Sequence, residues 1–189
     1  MSRMKMPIDL RMPIGWNKTA KPNALNLFVR RSKSLSCRVF QRRWCAIRAT
    51  TLNAMGPAGF AALLTSTSLR QLGILCLRNN PVGDAGMSKF ATAALVKGLT
   101  TLDLGFLQIG DKSIQTLADA PLEKLVRLTL CYNAIGDAGA IALARSTHLH
   151  GLAFLDLSNN KIGDQGALAI AQSPNLDRLH VLDLSRNPL

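Results

Sequence analysis

The chain has 189 residues, 48% of them hydrophobic and 18% charged, enough for one domain with a sizeable core and too short for two large ones. No apolar run approaches the ~18 residues that span a bilayer, and residues 1–10 carry charge with no hydrophobic stretch behind them, so a soluble, cytoplasmic protein is expected. The net charge of +12 is concentrated at one end: residues 1–50 hold twelve Lys and Arg against one acid, Asp9, while residues 51–189 hold eleven against ten, which excludes a broad phosphate-binding face on the body.

The arm, residues 1–50, is read as mostly disordered or one helix. Residues 1–23 mix Pro, Met and Lys without a period. Residues 24–48 (ALNLFVRRSKSLSCRVFQRRWCAIR) surround scattered apolar residues with Arg and Ser. Beside a plain unordered extension, such a stretch suits a mitochondrial-type transit segment or an electrostatic tether to nucleic acid or an anionic membrane. The four cysteines, Cys37, Cys45, Cys76 and Cys131, share no C-x-x-C spacing and are too scattered for a disulfide scaffold, which fits a reducing compartment.

The rest of the chain, residues 51–189, is dominated by internal repetition. Five segments, 72–80 (LGILCLRNN), 99–107 (LTTLDLGFL), 125–133 (LVRLTLCYN), 152–160 (LAFLDLSNN) and 179–187 (LHVLDLSRN), read L-x-x-L-x-L-x-x-N. The Asn-equivalent positions are 80, 107, 133, 160 and 187, and only Leu107 departs from Asn. After the first four comes a second constant piece: PVGDAGMSKFA, QIGDKSIQTLA, AIGDAGAIALA and KIGDQGALAIA. A period of 26 or 27 residues carried by two motifs in lockstep marks a stacked repeat architecture. Residues 51–71 form a degenerate first copy. Within it, 53–64 (NAMGPAGFAALL) keeps the second piece, with Pro57 in place of Asp and no strand leucines ahead of Asn53.

Each unit contains two periods. Alternating leucines have strand spacing, so Leu75 and Leu77 face the core while Cys76 points out. In the second piece the apolar residues recur at i, i+3 and i+4, as in Ile114, Leu117 and Ala118 or Ala140, Leu143 and Ala144, which is one helical stripe. The Asp before each stripe (Asp84, Asp111, Asp137, Asp164) is expected to cap its own helix. The strand-end Asn is expected to bond backbone groups of the turn and its neighbour, with Leu107 breaking that ladder once.

This pairing resembles the leucine-rich repeats of the ribonuclease-inhibitor-like class. Its wording is similar to the GALA-type repeats, whose name is spelled here by Gly166-Ala167-Leu168-Ala169. The resemblance implies an α/β fold: a right-handed solenoid bent into a horseshoe arc, with parallel strands on the concave face and helices on the convex face. It also implies a non-catalytic scaffold that binds a partner protein. In the arm, Leu35-x-Cys37-Arg38-Val39-x-x-Arg42-Arg43-Trp44 resembles the closing helix of an F-box, which, paired with leucine-rich repeats, implies a substrate receptor of a cullin ubiquitin ligase. GTPase activation is a further alternative, because Ran GTPase-activating proteins share the repeat class. The last repeat is truncated: two residues follow Asn187, so the strand edge is expected to be cut short or covered, with self-association as one way to cover it.

No catalytic, cofactor or metal site assembles from the sequence. G-x-x-x-x-G-K-[ST], H-E-x-x-H and G-x-S-x-G are absent, and His148, His150 and His180 have no Cys or carboxylate cluster beside them, so they are read as solvent-facing. Asp103, Asp156 and Asp183 share one column of the concave face and are read as structural. Cys76 and Cys131 are two strands apart, ~10 Å, beyond the ~7 Å reach of a disulfide. The outward strand positions and the residue before each Asn place Arg78, Phe106, Arg127, Tyr132 and Phe154 on one surface. Aromatic residues and Arg dominate protein interfaces, so these five are the partner-binding candidates.

Overall fold

A computed structural model of the chain describes residues 55–189. The expected arm, its F-box-like segment, Cys37, Cys45 and residues 51–54 of the degenerate repeat lie outside the described residues. Each of the next four repeats folds as a strand followed by a helix, and the last contributes a strand. The strands are β1 (Ile74–Cys76), β2 (Thr101–Asp103), β3 (Arg127–Thr129), β4 (Phe154–Asp156) and β5 (Val181–Asp183). The helices are α1 (Pro57–Leu64), α2 (Gly83–Met87), α3 (Asp111–Ala118), α4 (Asp137–Arg145) and α5 (Asp164–Ala171).

The strands pair in parallel in the order β1-β2-β3-β4-β5, and the register sets Leu75, Leu102, Leu128, Leu155 and Leu182 side by side. The first four leucines are at most 7% exposed. They share a core with Leu77, Leu104, Leu130 and Leu157 and with the helical stripe of Met87, Ile114, Leu117, Leu143 and Ile170, so the helices lie on one face of the sheet. Burying one leucine contributes about 2 kcal/mol, and this ladder repeats in every turn. One parallel sheet with the helices packed along one face makes an α/β solenoid of stacked strand-and-helix units.

The Asn ladder forms. The Asn133 amide donates to Leu104 O and Leu130 O, both at 2.9 Å, and its Oδ1 accepts from Leu107 N and Ile109 N. Asn160 likewise donates to Leu130 O and Leu157 O and accepts from Ile135 N at 3.1 Å. Asn187 repeats the scheme with Leu157 O, Leu184 O and Ile162 N. Leu107 cannot. Val82 N, which an Asn there would serve, turns instead to Asn80 O at 2.8 Å, and Gly83 adopts φ +61°. Glycine enters that left-handed region without the Cβ penalty.

The helix caps differ from expectation. The residue preceding α3, α4 and α5 is Gly110, Gly136 or Gly163, and the aspartates Asp111, Asp137 and Asp164 occupy the first helical position without capping their own helix. The carboxylates of Asp84, Asp111 and Asp137 reach the next repeat instead. Asp111 Oδ1 accepts from Gly136 N and Gly139 N at 2.7 and 3.0 Å, and Asp137 Oδ1 from Gly163 N and Gly166 N at 2.7 and 2.9 Å. Asp84 Oδ1 takes Gly110 N at 2.9 Å and the Ser113 hydroxyl. Amides left without intrahelical partners at one helix start are thus satisfied by the helix before it. A Cβ on Gly139 or Gly166 would stand 2.7 or 2.6 Å from that oxygen, which accounts for the second Gly in Gly-Asp-x-Gly.

The apolar positions Met87, Phe90 and Ala91 have the spacing of one continuing helix. It breaks after five residues of α2 and resumes as 3-10 turns, Phe90–Thr92 and Ala94–Gly98.

Candidate functional site

In each repeat the residue before the Asn position leaves the strand in the left-handed conformation: Asn79, Phe106, Tyr132, Asn159 and Arg186 have φ between 55° and 66°. The amides of Asn79, Phe106, Tyr132 and Asn159 still donate to the following repeat. The column is therefore spaced by the sheet, and its side chains are stacked by it. Phe106 and Tyr132 lie face to face, with ring centroids 4.1 Å apart and planes 12° apart. They remain 37% and 43% exposed, whereas an aromatic pair that served only the core would be buried.

An arginine flanks the pair at each end. The Arg78 guanidinium carbon lies 5.4 Å from the Phe106 centroid, Nε donates to Asp103 Oδ2 at 3.2 Å, and Nη2 donates to Cys131 Sγ at 3.0 Å. Its partly buried position opposes its charge, but Asp103 and then Cys131 outweigh burial and raise its pKa. Gly105 provides the passage: a Cβ there would meet Cys131 Sγ at 3.1 Å and Arg78 Cζ at 3.2 Å. At the other end Arg186 Nη1 donates to Tyr132 Oη at 3.2 Å. Of the five candidates, Arg78, Phe106 and Tyr132 come together. Arg186 completes the row and was missed, although its place before Asn187 matches that of the aromatics.

Arg127 and Phe154 form a separate pair, with the guanidinium carbon 4.0 Å from the ring centroid. Phe154, expected in the open, is only 4% exposed. Other outward positions on the central strands are also buried, including Asp103, Thr129, Cys131, Asp156 and Ser158, while Ile74 and Val181 at the edges stay open. Parallel strands ~4.8 Å apart crowd each central side chain from both sides, and Arg78 spans from its own strand to Cys131.

The column aspartates are tied to their own turns. Asp103 Oδ1 accepts from Gly105 N at 2.9 Å, Asp156 Oδ1 from Ser158 N at 3.0 Å, and Asp183 Oδ1 from Ser185 N at 2.9 Å. Cys76 and Cys131 are not joined to each other, and burial pushes the Cys131 thiol up to about 12 despite the adjacent Arg78. His148 is not simply solvent-facing: its Nδ1 is 3.0 Å from Glu123 Oε1. Among the described residues no group of His, Cys, Asp and Glu is arranged to hold a metal, and no helix is long and apolar enough to cross a membrane.

The family model described as Leucine Rich repeat matches residues 66–91, 122–144 and 147–171. These segments leave out 92–121, which contain Leu107. Comparison with curated proteins gave no match. Repeats of this family are generally protein–protein interaction modules without catalytic activity of their own.

Proposed function

We propose that this leucine-rich-repeat chain is a non-catalytic scaffold that binds a partner protein on its strand face, through the loop edge carrying Arg78, Phe106, Tyr132 and Arg186. The stacked, part-exposed Phe106–Tyr132 pair carries this reading. Rigid aromatic area backed by arginine contributes contact at little entropic cost, the usual composition of an interface centre. Arg127 and Phe154 buttress the same face rather than offer it. Within the family, a strand and a helix in each of the four full 26- or 27-residue units support the ribonuclease-inhibitor-like, GALA-type subclass. The domain division, a basic arm at 1–50 and repeats from 51, and a cytoplasmic location belong to the same proposal.

Affinity capture with the full chain tests it. Phe106→Ala with Tyr132→Ala, at exposed positions, is expected to leave the fold intact by circular dichroism and to remove the proteins that the unaltered chain recovers. Recovery unchanged by the pair overturns the assignment. A second reading, the cullin-ligase substrate receptor, is favoured by residues 35–44 alone; it predicts an adaptor subunit recovered by 1–189 and lost from 51–189. Nucleic acid or membrane binding through the arm would show the same dependence. GTPase activation has fold analogy as its only support.

A further inference from the structure

The two arginines of the edge row differ in one respect. Arg78 is neutralised by Asp103. Arg186 is exposed and bonds only the neutral Tyr132 phenol, and no carboxylate among the described residues lies within ion-pair distance of it. Tyr132 Oη accepts that bond, which leaves its own proton to donate outward. Tyr132 O–H and the remaining Arg186 N–H groups thus form a pair of adjacent donors carrying one positive charge, with an aromatic face alongside.

We infer that Tyr132 and Arg186 form a subsite for a carboxylate, the side chain of an Asp or Glu in the bound protein, with an apolar neighbour of that residue lying against the Phe106–Tyr132 stack. This rests on the reading of the edge row as the binding surface. A planar guanidinium and a phenol proton match the two oxygens of a carboxylate. One arginine supplies one charge, which balances a singly charged carboxylate rather than a doubly charged phosphate.

Panning a library of random linear heptapeptides on the full 189-residue protein tests the subsite. Enriched peptides are expected to carry Asp or Glu beside an aromatic or branched apolar residue. Arg186→Gln should weaken the best peptide about tenfold, with Arg186→Lys recovering part of the loss. The losses from Arg186→Gln and from Glu→Gln in the peptide should not add, because each removes the same contact. Enriched peptides without an acid, phosphopeptides preferred over them in direct competition, or additive losses overturn the carboxylate subsite and leave the binding surface standing. Peptide binding that survives Phe106→Ala and Tyr132→Ala overturns the surface itself. Failure of any peptide to enrich counts against both.

Discussion

The turns at Gln108–Gly110, Ala134–Gly136 and Lys161–Gly163 and the turn at Pro81–Gly83 are built from nearly the same words, yet they fold differently. In the regular region every helix start receives a carboxylate from the repeat before it and every strand exit a carboxamide from the repeat after it. Around Gly83 both are missing. Pro57 stands where the accepting carboxylate of the cap would be Asp, and Leu107 stands where the carboxamide would be Asn. There α2 is five residues long, Gly83 is left-handed and Val82 N bonds two residues back. A repeat is therefore not a self-sufficient unit of sequence, because its backbone is completed by side chains one period away in both directions.

Breaking the regular region should cost most at its centre. Asn160→Ala removes three buried side-chain bonds, to Leu130 O, Leu157 O and Ile135 N, and strands Ile135 N. At about 1 kcal/mol per bond, a loss near 3 kcal/mol is expected in urea denaturation. The inter-repeat cap comes next. Asp137→Ala should lower stability by about 1–2 kcal/mol, and Gly166→Ala by a similar amount, because its Cβ would displace the same oxygen. The double variant should be hardly worse than either single one, a non-additivity that distinguishes a shared contact from two unrelated defects.

The irregular turn offers the finer contrast. Gly83→Ala has open space around its Cβ but must hold φ +61°, at about 1 kcal/mol; Gly110→Ala, with extended backbone and ordinary contacts, should be close to neutral in the same denaturation series. The smallest effect is pH-dependent. Partial burial disfavours the Asp84 carboxylate, but the Gly110 amide and the Ser113 hydroxyl and amide outweigh it and hold its pKa below the ordinary 3.8. Its contribution is therefore complete above that value and disappears as the pH falls through the lower, folded-state pKa. Asp84→Asn should flatten this part of the acid limb of thermal stability and leave the neutral region little changed in slope.

The period, the strand leucines, the helical stripe and the Asn ladder are legible in the sequence because each rests on spacing within one unit. The aspartates were read correctly as helix-start residues and wrongly as caps for their own helices. The amides they serve lie 25–29 residues onward, a distance that local pattern does not reveal. Phe106 and Tyr132 could be paired from the repeat alignment. The burial of Phe154 under Arg127 and the passage that Gly105 opens for Arg78 depend on side-chain directions across strands. Arg186 carried the right signal, its column, without an aromatic ring to draw notice.

The inter-repeat caps also have a direction in time. Asp84, Asp111 and Asp137 each precede the amides that they serve, so a chain emerging from its N-terminus always has the acceptor in place before the helix that needs it exists. Synthesis at about 5–20 residues per second would then let each new helix start on a carboxylate already made, whereas refolding from the opposite end would have to start every helix bare.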